Sequence, residues 1–208
     1  MTLLDTDILL DWITRRGLDG LDEAQLLREF CEKCREAGLM VSRALSFIDT
    51  LHPVHEGRIY RWRDDSVEEE AALDYARTDQ GGPAAESWQR SPFFHLLQTG
   101  EEELRRRIGF GEAPDFSVIQ EMKDLGHTDY IVFIHRVAGD TKIGDMDGVY
   151  SAWSTRHPEG FSDANIVALR RLVPALALAI KSAALPRIAD TLVQGYLGQA
   201  NQQRTVQQ

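Results

Sequence analysis

The chain has only two cysteines among its 208 residues, Cys31 and Cys34 in FCEKC. Their spacing puts them one turn apart on a helix, and no second CxxC or HxxxH pair lies elsewhere to complete a four-ligand zinc site. They read as part-buried helical thiols in a reducing compartment, with no metal or redox role. Long apolar runs are missing too. The strongest, residues 172–180, is interrupted by Pro174 and falls far short of the roughly 20 residues that cross a bilayer. Basic residues are in the minority, 23 Lys and Arg against 33 Asp and Glu for a formal charge of −10, which disfavours nucleic acid and anionic membrane as partners. The opening residues, MTLLDTDILLDW, place acids where a signal peptide carries lysine or arginine, so a cytoplasmic location is expected.

Catalytic patterns are also absent. There is no GxSxG elbow, and GFGEAP at 109–114 lacks the lysine and spacing of a phosphate-binding loop. Six histidines at 52, 55, 95, 127, 135 and 157 are scattered. His52 and His55 flank Pro53, which disfavours the helical turn they would need to share a metal. Asp145 and Asp147 in GDMDG imitate a metal-binding DxD pair, but without phosphate-binding companions they read as a solvated turn. No catalytic residue, metal site or certain cofactor is therefore assigned.

What is present suits one α+β domain with helical extensions: 43% of the residues are apolar, enough for a sizeable core. Apolar residues recur at helical spacing over 7–16 and 22–37, with Asp22 placed to cap the second helix and Gly38 to end it. From residue 40 the period becomes two, in MVSRALSFID and then GRIYRWRDD, which predicts a hairpin-like strand pair. Residues 66–111 lose all periodicity, through an acidic run at 68–70 and a GGP turn at 81–83. They read as a lid or crossover, and as the most mobile part of the domain. A short helix is predicted over 116–125, then strands over 128–138 and 147–157, then a long helix from Ser162. Along that helix Ile166, Leu169, Val173, Leu176 and Ile180 alternate in steps of three and four, a seam suited to a partner helix in a parallel homodimer. Packing of the same seam on the parent sheet is the alternative.

This order of elements is that of a GAF-type sensory fold, an antiparallel sheet covered by helices. More specifically, IDTLHPVHEGRIYRW at 48–62, SPFFHLL at 91–97, TDYIVF at 128–133, MDGVYSAWST at 146–155 and LRRLVPALALAIKSAALPRIADTLVQGYLG at 169–198 resemble the N-terminal regulatory region of alphaproteobacterial class III adenylate cyclases. The resemblance implies N-terminal helices over 1–39, a GAF-like sensory core over 40–160, and an exit helix and connector over 161–208. That connector would lead into a fused or downstream cyclase catalytic domain. The sequence departs from the family at NQQRTVQQ, where an arginine-rich helix and the catalytic domain would follow, so this chain is not expected to make cyclic AMP alone.

In such a fold, small ligands such as cyclic nucleotides or tetrapyrroles sit on one face of the sheet beneath a lid. Trp62, Trp88, Phe93, His95, Tyr150 and Trp153 are the candidate ligand-binding residues, expected to converge there; the alternative is that they fill an ordinary core. Arg61 and Arg63 are positioned either to meet an anionic ligand or to lie solvated at the strand edge. Covalent bilin attachment would need a cysteine in the pocket, which the helical pair does not offer. The leading functional reading is a sensory module acting on a cyclase through its exit helix. A dimerising scaffold that binds no small molecule is the alternative.

Overall fold

Two helices precede the sheet, α1 (Thr6–Asp19) and α2 (Glu23–Glu36). Each starts on an aspartate: Asp5 accepts from the N–H groups of Asp7 and Ile8, and Asp22 from that of Gln25. These bonds satisfy donors that a helix start leaves open. Strands β1 (Arg43–Asp49) and β2 (His55–Arg63) then pair antiparallel, Phe47 opposite Ile59 and Ala44 opposite Trp62. After them come β3 (Leu73–Ala76), α3 (Pro83–Gln89), α4 (Pro92–Thr99), β4 (Glu103–Arg106), a short 3-10 turn at Ile108–Phe110, α5 (Ser117–Asp124), β5 (Asp129–Arg136), β6 (Gly148–Thr155) and the long α6 (Asp163–Thr205). This computed structural model describes residues 5–49, 55–66, 73–76, 82–136 and 148–205. The six strands form one antiparallel sheet in the order β3-β2-β1-β6-β5-β4, the α+β architecture that the alternating segments predict.

The segment expected to be a lid or crossover, 66–111, is different. Where described, it supplies both edge strands, β3 and β4, and two short helices. Four-residue strands such as LDYA and ELRR are too short for a two-residue period to show, and their charges suit sheet edges. Helix α4 is legible in retrospect. Ser91 caps it through the Phe94 N–H, Pro92 occupies its first turn, and Gly100, at φ 77°, ends it. That left-handed conformation favours glycine.

The sheet separates two cores. On one side α1, α2 and α6 bury Ile13, Leu26, Phe30, Tyr60, Trp153 and Leu169. On the other, α3, α4 and α5 help bury Phe47, Phe93, Leu96, Ile119, Val132 and Tyr150. Helices α1 and α6 run side by side in the same direction: Arg171 holds Thr6 and Asp7, while ten residues further along α1 the backbone of Gly17 passes Ala179. A Cβ at Gly17 would stand 3.0 Å from that of Ala179.

The expected dimer seam turns inward. Ile166, Leu169, Val173, Leu176 and Ile180 are all at most 3% exposed and belong to the chain's own helical core. Their three-four spacing serves intramolecular packing against α1 and α2, because a helix laid between two others needs the same stripe that a partner helix would use.

A buried ion pair fixes the approach to α6. Asp129, fully buried, takes two hydrogen bonds from Arg105, at 3.1 and 2.6 Å, and a third from the Phe161 N–H at 3.0 Å. Arg105 also donates to the Phe161 carbonyl at 2.6 Å. The carboxylate therefore has both a charge partner and a backbone donor, the condition under which burial of charge is tolerated. Gly160 is required here: its φ is +67°, and a Cβ would meet the Asp129 carboxylate oxygen at 2.7 Å. Ser162 then caps α6 through Asn165. Further on, Arg187 donates to Glu23 at the start of α2 and to the Tyr60 hydroxyl on β2 at 3.1 Å. Burial and the neighbouring Glu23 hold the Tyr60 hydroxyl well above its usual range, so it stays neutral.

At the far end of the sheet, His127 is 3% exposed. Burial, and then the charges of Arg156 and Arg43, lower its pKa to about 4. The native imidazole is neutral while the unfolded one protonates near pH 6.5. Stability is thus complete above pH 6.5 and falls as pH drops from 6.5 towards 4, by at most about 3 kcal/mol. Urea unfolding at a series of pH values is expected to show this slope, and His127→Leu is expected to remove about one proton from the uptake on unfolding near pH 5. An unchanged slope would show that the imidazole is already protonated in the native state.

Candidate functional site

The face of the sheet opposite α1, α2 and α6 carries an aromatic cluster built from four elements. Phe47 of β1 and Tyr150 of β6 are opposite in register and stack at 4.7 Å with their planes 6° apart. Phe93 of α4 meets both edge-on, at 4.9 and 5.9 Å. Trp88 of α3 stands across Phe47 and Tyr150 at 6.1 and 5.8 Å, with Phe94 beyond it at 6.3 Å. Edge-to-face pairs at these separations add to area burial by about 0.5–1.5 kcal/mol each. Phe47, Phe93 and Tyr150 are buried; Trp88 is half-exposed and sits on a helix of seven residues.

Three of the six candidate residues, Trp88, Phe93 and Tyr150, are therefore brought together. The other three are not. Tyr150 and Trp153 are three apart on β6, and because side chains alternate across a strand they point to opposite faces. Trp153 is fully buried in the helical core, edge-on to Phe30 at 5.5 Å, its indole N–H bonded to Ser151 at 3.0 Å. Trp62 shares that face, since Ala44 pairs with Trp62 on one side and with Trp153 on the other. His95 is exposed on the outer side of α4, 5.7 Å from Phe116. Phe47 is the member that the sequence reading missed. Its alternation with Ile48 gave its face, but only the β1–β6 register places it over Tyr150.

Arg61 does lie on the aromatic face. It stands two residues from Ile59, which packs against that cluster, and opposite Leu45, which does the same. Its Nε is buried with no hydrogen-bond partner. Arg63 is exposed. Cys31 and Cys34 are both buried on α2, across the sheet from the aromatic cluster, and burial raises both thiols well above their ordinary range. They remain protonated and poorly nucleophilic, unable to reach a ligand on the aromatic face. Among the described residues no three His, Cys, Asp or Glu side chains gather as a metal centre, and no helix is long and apolar enough to cross a membrane. His52, Asp145 and Asp147 lie outside the described residues.

With this geometry in hand, the fold is that of a GAF domain. The chain is similar to the phycocyanobilin-bound GAF domain from a cyanobacterial phytochrome, with a TM-score of 0.54 and 16% identity over 88% of this chain and 97% of that one. It is equally similar in coverage and identity to a phycoerythrobilin-bound GAF domain from a cyanobacterial phytochrome, with a TM-score of 0.51. At this identity the likeness defines the fold and leaves the ligand open. No family model and no curated protein sequence matches the chain.

The two faces should respond differently to truncation. Trp153→Ala empties a closed core and is expected to cost about 3–5 kcal/mol; Trp88→Ala, at a half-exposed ring, is expected to cost less than half as much. Urea denaturation of the two variants checks this, and equal losses would make Trp88 an ordinary core residue.

Proposed function

We propose that this chain is a sensory module that takes a small ligand on its aromatic face and passes the signal through α6 to a class III adenylate cyclase catalytic domain. The observation that carries the ligand part is the cluster of Phe47, Phe93 and Tyr150 closed by a half-exposed tryptophan on a short helix. A ring of that kind can swing aside for a flat ligand, and a ligand shifts a module only by its different affinity for two such states. Two structures of the same fold are bilin-bound GAF domains, and a ligand on the aromatic face here would be held noncovalently, because both cysteines lie across the sheet. The cyclase part rests on the sequence resemblance. Helix α6 suits an output role: at a rise of 1.5 Å per residue its 43 residues extend about 64 Å, and among its described side chains Ala184 and Arg187 are the last tied to the core.

The second reading, a scaffold that binds nothing, draws on the mutual packing of the four rings, which fill the ligand face with the protein's own side chains. A thermal-shift screen over nucleotides, tetrapyrroles and aromatic acids separates the two. A true ligand raises the melting temperature by mass action and quenches tryptophan fluorescence in the same titration. No such compound, with Trp88→Ala as inert as wild type, would leave the scaffold.

The homodimer belongs to both readings, on a different face from the inward seam. Five of the eight large apolar side chains exposed among the described residues lie on α1 and α6: Ile8, Leu18, Val167, Leu178 and Leu185. Leu178 and Leu185 are one heptad apart, and parallel α1 and α6 of two copies would form a four-helix contact. Sedimentation is expected to report a dimer that Leu178→Glu with Leu185→Glu makes monomeric and folded, whereas Leu176→Glu with Ile180→Glu unfolds the chain. A wild-type monomer at high concentration would contradict the dimer.

A further inference from the structure

Strand β4 is one edge of the sheet: among the described residues its ladder runs to β5 alone. Its residues divide between the two faces. Leu104 lies opposite Val132 and is buried with Phe93 and Leu96 of α4 in the aromatic-side core. Glu103 and Arg105, on either side of it, stand opposite Phe133 and Ile131, which belong to the helical side. Both hold the start of α6. Arg105 donates at 2.6 Å to the Phe161 carbonyl while its fork grips Asp129, which in turn accepts from the Phe161 N–H. Glu103 takes two bonds from Arg170 of α6, each 2.8 Å long. At its other end β4 is tied to the aromatic cluster. The Ser91 N–H bonds to the Trp88 carbonyl at 2.9 Å, Ser91 caps α4, and β4 begins soon after Gly100 ends that helix. An extended backbone turns successive side chains to opposite faces, so a displacement of Leu104 carries Glu103 and Arg105 with it. An edge strand makes that movement against one ladder, where a central strand would disturb two.

From this juxtaposition we infer that β4 is the coupling element between the aromatic face and the output helix: a ligand that parts Trp88 and Phe93 from Phe47 and Tyr150 shifts α4 and Leu104, and Glu103 and Arg105 then loosen the first turns of α6. This coupling rests on the reading of the aromatic face as the ligand site and adds how occupancy reaches the helix. Both arginine forks are closed while the rings are packed on one another, so parting the rings opens the forks. Paired N–H···O bonds fix angle as well as distance and weaken when either is displaced. Linkage makes the effect reciprocal: whatever weakens the ties from the α6 side eases the opening of the ligand face and tightens binding by the same factor. A purely structural ion pair behaves differently, since its loss lowers stability and leaves affinity alone. Arg171 supplies the comparison. It is the next residue along α6 and is similarly exposed, but its bonds go to Thr6 and Asp7 at the start of α1 rather than to β4.

The test titrates 8-anilinonaphthalene-1-sulfonate into the full chain and its Arg170→Gln, Arg105→Lys, Arg171→Gln and Trp88→Ala variants, and follows amide hydrogen exchange over residues 166–172 with and without the probe. In the wild type the probe is expected to speed that exchange about threefold. Arg170→Gln, which opens one exposed fork, is expected to speed it without the probe and to tighten probe binding about threefold, the scale of an exposed ion pair. Arg105→Lys keeps a charge beside Asp129 but loses the fork, and is expected to tighten the probe further. Arg171→Gln is expected to leave the affinity unchanged. An affinity unmoved by Arg170→Gln and Arg105→Lys, where Trp88→Ala alters it, would overturn the coupling and leave the ligand face standing. Equal tightening by Arg171→Gln would overturn it as well, by showing that any loosening of α6 serves. If the affinity ignores Trp88→Ala, or the probe does not bind, the ligand face fails and takes the coupling with it.

Discussion

An antiparallel sheet has two faces, and every strand residue must belong to one of them. That alternation governs this protein. It sends Trp153, Tyr60 and Trp62 to the side covered by α1, α2 and α6, and Tyr150, Phe47, Ile59 and Arg61 to the side covered by short helices. Long helices laid along a sheet make a closed core in which tryptophan is held at 0% exposure. Under the short helices Leu96, Ile119 and Val132 are closed off as fully, and Trp88 is partly buried at the margin. The face under the short helices is the one proposed above as the ligand site.

The long helix couples these halves through polar contacts rather than through its apolar stripe. Asp129 sits at the start of β5 and binds the turn before α6 while also holding Arg105 of β4, so the two strands furthest from β2 set where the helix begins. Arg187 bonds at once to α2 and to Tyr60, and Tyr60 is the neighbour of Arg61 on β2. The Tyr60 hydroxyl thus ties β2 to Arg187, the last side chain of α6 whose bonds to the core are described. Buried polar contacts of this kind are sensitive to geometry in a way that apolar packing is not.

Much of this was legible in the sequence. The cap at Asp22, the stop at Gly38, and the alternation in 40–49, 57–63, 128–138 and 147–157 located most of the elements. The GAF order followed from their succession. Two features were not legible, for physical reasons. Strands β3 and β4 have four residues each, no more than two periods, and edge strands tolerate charges that mask what period there is. The assignment of aromatics to one pocket failed on parity: Tyr150 and Trp153 are separated by an odd number of residues, so they could not share a face. That much could have been read from the sequence, whereas Phe47 over Tyr150 depends on a pairing across about a hundred residues that no local pattern encodes. The inward turn of the α6 seam was equally hidden, since a helix between two neighbours and a helix in a dimer present the same spacing.

The central claim is that the two faces of the sheet are chemically separate, one a fixed core and one a ligand site. The chain's four tryptophans report on this directly, with Trp12, Trp62 and Trp153 on the helical side and Trp88 alone on the other. Indole N–H resonances of the 15N-labelled chain, followed while 8-anilinonaphthalene-1-sulfonate, an aromatic probe of apolar sites, is added, test it in one titration. The account predicts a large shift of the Trp88 resonance with Trp12 and Trp153 unmoved. A shift confined to Trp12 or Trp153 with Trp88 unmoved would contradict it.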